Sequence, residues 1–117
     1  MTIKRFDVGP RMSQCVVHGG TVYTAGQVAQ GAKGESAENQ TRDILQRIDK
    51  LLAEAGTNKQ HLISATIWLS SMQHFDQMNA VWDAWVVPGQ TPCRACVEAK
   101  LAAPVFDVEI AVIAALS

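Results

Sequence analysis

Two charged side chains stand where their surroundings favour apolar ones. Arg94 lies in TPCRACVEAKL (residues 91–101) and Glu109 in FDVEIAVIAAL (residues 106–116). Both stretches read as strands, because β-branched and small apolar residues dominate them. A guanidinium presents a planar fork of donors that grips a carboxylate through two parallel hydrogen bonds, and a lysine cannot copy this. A carboxylate among apolar neighbours costs several kcal/mol unless it is paired or reached by water. In that setting it can position or deprotonate a water molecule. Arg94 is the natural partner for Glu109. From the residues alone, a structural ion pair, a solvent-open edge position and a functional pair all stand.

Alternation along a strand sorts the neighbours into faces. Arg94, Cys96, Glu98 and Lys100 share one face, and Cys93, Ala95, Val97 and Ala99 the other. The apolar set is expected to face the core, and the polar set an opposite surface or a cleft between chains. In the last strand Val108, Ile110, Val112 and Ala114 share one face, with Glu109, Ala111, Ile113 and Ala115 on the other. Cys93 and Cys96 form a C-x-x-C, but two sulfurs on a strand diverge and no second pair completes a site. No metal is expected. Together with Cys15 they make an odd number without a disulfide framework, so all three are expected to be reduced.

Other chemistry-bearing residues read as structural. His18 sits in a turn, His61 precedes a strand and His74 lies at a helix start, settings that favour solvated or capping roles. No Ser/His/Asp motif, phosphate loop or dinucleotide fingerprint occurs, and no cofactor is expected. Trp68, Trp82 and Trp85 are expected in the core rather than on a stacking surface. Asp43, Asp49 and Glu54 belong to the polar face of a helix.

The elements that must position Arg94 and Glu109 follow from patterning. Ile3–Phe6, Ser13–Val17 and Thr21–Ala25 are strand-like, and His18-Gly19-Gly20 makes a hairpin turn between the last two. Residues 26–35 hold three glycines and read as a loop. Ser36 can cap a helix whose Ala37, Thr41, Ile44, Leu45, Ile48, Leu51, Leu52 and Ala55 form one buried stripe, with Gly56 as its stop. His61–Leu69 fits a central strand. Phe75, Met78, Trp82 and Trp85 recur at helical steps, and Pro88-Gly89 ends that helix. Residues 93–99 and 107–115 are the last strands. The order predicts an α+β domain with one mixed sheet and both helices on one face. The strands are Val-, Ile- and Ala-rich on both sides, so the other face is expected to be buried by a partner chain.

The 117 residues fit a single domain, 1–117. Hydrophobic residues make up 48% and the net charge is −1. With no basic field, binding nucleic acid through its phosphates is not expected. No apolar run approaches the ~18 residues of a membrane span. MTIKRFDVG carries charges at once and lacks an apolar stretch, so a cytoplasmic protein without a signal peptide is expected.

TPCRACVEAKL followed by VEIAVIAA resembles the signature region of the Rid family, also called YjgF/YER057c/UK114. YTAGQV (23–28) is similar to its strand-then-Gly-Gln segment, and MNAVWDAW (78–85) to its second helix. The similarity covers nearly the whole chain. ATIWL and WDAWVV are most like a short bacterial YoaB-like branch. The resemblance implies a chorismate-mutase-like fold and a homotrimer whose sheets face inward as a barrel, with ligand clefts between subunits. It implies hydrolysis of reactive enamines and imines to 2-keto acids and ammonia. Arg94 would anchor the substrate carboxylate and Glu109 would orient the water. Gly26, Asn79 and the backbone of Cys96 would line the pocket. One position departs: Met12 stands where the archetypal branch has a tyrosine near the pocket. The alternative expectation is a non-catalytic trimer that binds small carboxylates. RNA cleavage, sometimes ascribed to the family, is disfavoured by the charge balance.

Overall fold

The computed structural model describes residues 2–117, which form one mixed sheet with two helices on one face. The strands are β1 (Lys4–Val8), β2 (Ser13–His18), β3 (Thr21–Thr24), β4 (Gln27–Val28), β5 (Leu62–Leu69), β6 (Cys93–Glu98) and β7 (Val108–Ala115). The helices are α1 (Ala37–Ala55) and α2 (Phe75–Trp85). In space the strands run β1-β2-β3-β7-β5-β6, and β4 pairs with β7 beyond the end of β3. Every pairing is antiparallel except β5 with β6, which is parallel. The expected α+β architecture is present. The segment read as a loop from 26 to 35 contains the two-residue strand β4, which is too short for periodicity to reveal.

Local chemistry accounts for the element ends. Gly19 and Gly20 both adopt positive φ and close the β2–β3 hairpin. The Ser36 hydroxyl accepts the Asn39 amide at 3.1 Å and caps α1. At the other end Gly56 is left-handed, with φ 93°, and its amide returns to Ala53.

The core lies between the helices and one face of the sheet. Ile44, Ile48 and Leu52 of α1 are fully buried, as are Ile67 of β5 and Val108 and Ile110 of β7. Burying each such side chain contributes roughly 1.5–3 kcal/mol. Gln40 is also fully buried on α1. It donates to the carbonyls of Glu35 and Val105 and accepts the Asp107 amide, which ties the 99–107 connection to the helix.

The opposite face of the sheet is uncovered in the single chain. Tyr23 and Val97 are 44% and 47% exposed there. Trp68 is half-exposed on this face rather than in the core, since alternation on β5 gives the inner positions to Ala65, Ile67 and Leu69. The facing expected for β6 is reversed. Ala95 and Val97 point to the open face, while Arg94 and Cys96 are half-buried on the helix side. Register shows why: Arg94 pairs with Ala65 and Cys96 with Ile67, both core residues. Side chains paired across a parallel ladder share a face.

Candidate functional site

Arg94 is held by α2. The helix places Phe75, Asn79 and Trp82 on one stripe, because residues separated by three or four share a face. Asn79 Oδ1 accepts a hydrogen bond from Arg94 Nη1 at 2.7 Å. The guanidinium carbon lies 5.5 Å from the Trp82 ring centroid and 5.9 Å from that of Phe75, close enough for cation–π attraction. Cys96 follows on the same face of β6. Burial pushes its thiol pKa up, while the Arg94 charge pulls it down. Among the described residues the ion pairs are Arg42–Glu38, Arg47–Asp43 and His74–Asp107. Arg94 thus carries its charge without an acidic partner.

Glu109 lies on the open face of β7. Across the ladder it stands between Trp68 of β5 and Val28 of β4. Burial raises its pKa above the ordinary carboxylate value, since the charged form is less well hydrated there. Gly26 makes room for it. A Cβ built at Gly26 would overlap the Glu109 carboxylate. Gly26 has no positive φ, so its role is close approach rather than an unusual backbone conformation.

The expected Arg94–Glu109 contact does not occur within one chain. The two side chains point to opposite faces of the sheet, and β5 separates their strands. Two strand spacings amount to about 10 Å. Although β6 and β7 follow each other in sequence, they pair with opposite edges of β5 and are not neighbours in the sheet.

The six residues singled out from the sequence therefore fall into two groups. Arg94, Asn79 and Cys96 cluster on the helix side of the edge strand β6. Gly26 and Glu109 meet on the other side of the sheet's centre. Met12, 50% exposed in the turn between β1 and β2, joins Gly26 in lining an open cleft of ≈ 450 Å³ with Gln27, Arg47, Lys50 and Glu54. Arg94, Asn79, Cys96 and Glu109 lie outside that lining. The sequence marks Phe75 and Trp82 only as helix-stripe and core residues. Their signal was the 75/79/82 spacing, which becomes informative once β6 is known to present Arg94 to α2. The histidines stay apart from both groups; His74 Nε2 lies 3.6 Å from Asp107, beside a Ser70–Asp107 hydrogen bond of 2.6 Å. Among the described residues no cluster of His, Cys, Asp and Glu could hold a metal ion, and no helix is long and apolar enough to cross a membrane.

Known proteins resemble the chain over its whole length. A family profile described as Endoribonuclease L-PSP matches residues 2–116. A RutC family protein of Haemophilus influenzae is 44% identical, covering 97% of this chain and 98% of the relative. The RutC family protein YoaB of Escherichia coli is 41% identical, covering 99% and 100%. The crystal structure of a YjgF-family protein from Neisseria meningitidis superposes with a TM-score of 0.96 at 45% identity, covering 100% of this chain and 97% of that one. These full-length matches show that the chain belongs to the YjgF/Rid family, also described as Endoribonuclease L-PSP.

Proposed function

We propose that this chain hydrolyses reactive imines and enamines of small 2-keto acids, of the 2-iminopropanoate, 2-iminobutanoate and 2-aminoacrylate type, to the keto acid and ammonia. The observation that carries the reading is Arg94: a guanidinium held by Asn79 and two aromatic rings, with no acidic partner. Such a group is prepared for a ligand carboxylate. An imine carbon is already electrophilic, so the reaction asks only for a placed water. The water oxygen bonds to that carbon while a proton passes to Glu109. Glu109 returns that proton to the nitrogen, giving a carbinolamine. As its C–N bond breaks, the new hydroxyl's proton passes through Glu109 to the nitrogen, so that ammonia and the keto acid leave. An enamine enters the same sequence after taking a proton at carbon and losing one from nitrogen. The raised pKa of Glu109 makes its carboxylate a better proton acceptor. Gly26 and the Cys96 backbone would flank the ligand.

The same reading assigns the protein a homotrimer with inward-facing sheets. Its support is the apolar open face, together with the separation of Arg94 from Glu109 in one chain. A cleft between copies would join the Arg94 group of one to the Gly26–Glu109 group of its neighbour. The test follows the loss of 2-iminopropanoate and 2-aminoacrylate, generated in situ by a dehydratase, in competition with semicarbazide. Wild type should accelerate hydrolysis and Arg94→Ala should abolish the acceleration. Met12, standing in place of a pocket tyrosine, favours a second reading: a non-catalytic trimer that binds small carboxylates. No acceleration by wild type, with calorimetric 2-keto acid binding retained in Glu109→Ala, would select it.

A further inference from the structure

We propose that Phe75 and Trp82 are positioning residues for Arg94: with Asn79 they fix the guanidinium plane so that its free donors meet a planar carboxylate edge-on. This rests on the reading of Arg94 as a carboxylate anchor, and it adds what makes an arginine necessary there. Phe75, Asn79 and Trp82 recur at i, i+4 and i+7 on α2, and all three reach the same guanidinium. Asn79 engages one of its five N–H donors at 2.7 Å, which leaves four for a ligand.

An arginine on an edge strand ordinarily keeps many rotamers, and ordering it on binding weakens affinity. Here Phe75 and Trp82 lie within about 6 Å of the half-buried guanidinium, close enough to narrow its choice of orientation and to displace part of its water. The charge is retained, but part of its hydration is already gone before the ligand arrives. A lysine at this position would offer a strongly hydrated point charge, with neither the stacking nor the fork. Trp82 is 5% exposed and belongs to the buried core, whereas Phe75 is half-buried and packs against that core from its margin. Phe75 is therefore the residue to test, because leucine at this marginal position keeps an apolar side chain against the core while removing the ring.

Pyruvate serves as the probe, by calorimetry on the intact protein, with thermal melts confirming that each variant folds. Phe75→Leu should weaken pyruvate binding about five- to tenfold, the range of a single partly desolvated cation–π contact. Phe75→Tyr, which keeps the ring, should restore it. In an Arg94→Lys background the same Phe75→Leu change should alter binding less than about twofold, because the plane it orients is gone. The Arg94 Nε–H proton resonance should lie upfield from ring currents in wild type and move downfield in Phe75→Leu. Unchanged pyruvate affinity in Phe75→Leu, or an equal loss in the lysine background, overturns the proposal. If wild type binds pyruvate as described yet hydrolyses no imine, the hydrolase reading falls and the positioning role stands. If hydrolysis proceeds and Phe75→Leu leaves both KM and pyruvate affinity untouched, the positioning role falls alone. If wild type binds no pyruvate, both fall.

Discussion

Replacing Gly26 by alanine should separate the chemistry from the fold. The added Cβ would occupy the place of the Glu109 carboxylate. The backbone at Gly26 needs no positive φ, so alanine fits it without strain. The atoms in the way belong to the end of a flexible, half-exposed side chain, which can swing aside. The loss of unfolded-chain entropy offsets part of that displacement, so stability should change by less than about 1 kcal/mol, or roughly 4 °C in Tm. Glu109, however, leaves the position from which it would act on water. Imine hydrolysis should fall about 10²–10⁴-fold, the usual contribution of a placed general base. Gly26→Ala and Glu109→Ala should then lose activity to a similar degree, and the double variant should lose little more. Keto acid release and thermal melts on the three variants decide it. Wild-type hydrolysis in Gly26→Ala would refute the assignment of Glu109. A Tm drop beyond about 10 °C would refute the claim that the glycine serves the site rather than the fold.

Two further outcomes follow from burial. The native pKa of Glu109 is raised, so the native state binds its proton more readily than the unfolded chain does. Its charge therefore destabilises the fold above that pKa, and the effect disappears as pH falls below the ordinary value of 4.5. Glu109→Gln should melt higher than wild type near pH 7, with the gap closing towards pH 4; a gap independent of pH would contradict the cause. Gln40→Leu removes three hydrogen bonds to backbone groups around a fully buried position. At about 1–3 kcal/mol for each buried group left unpaired, urea unfolding should show a loss of roughly 3 kcal/mol or more; a loss under about 1 kcal/mol would mean that water reaches the 99–107 connection.

Helical stripes and caps were legible in the sequence because each depends on nearby residues. The Ser36 cap, the stripe from Ala37 to Leu52 and the Gly56 stop stand where patterning put them. The facing of β6 was not legible. Alternation divides a strand into two sets but does not say which set lies inside. The rule that apolar residues face the core fails where an edge strand keeps an apolar set on an open face. Arg94 turns inward because α2 supplies an amide and two rings to receive it, a fact of packing that β6 alone cannot state. Glu109 was easier. It interrupts a strand whose alternate residues Val108, Ile110, Val112 and Ala114 are all buried, so its own face had to be the other one.

Opposite faces and an intervening strand also set how the site must be assembled. A ligand of a few heavy atoms cannot span about 10 Å and pass through the sheet, so one chain cannot present Arg94 and Glu109 to it together. If both act on one substrate, they come from different copies, and mixing inactive variants tests this. In assemblies refolded from equal amounts of Arg94→Ala and Glu109→Ala chains, a cleft shared by two copies is intact when the arginine donor is the glutamate variant and the glutamate donor is the arginine variant. Random assembly gives that arrangement in about a quarter of the clefts. Activity should therefore return to about a quarter of the wild-type value from two variants that are each nearly inactive. Within a single-chain site every mixed assembly stays inactive, because each chain lacks one of the two groups. Recovery of hydrolysis thus reports directly on which chains the two side chains come from, and its absence in assemblies shown to be mixed would refute a cleft shared between copies.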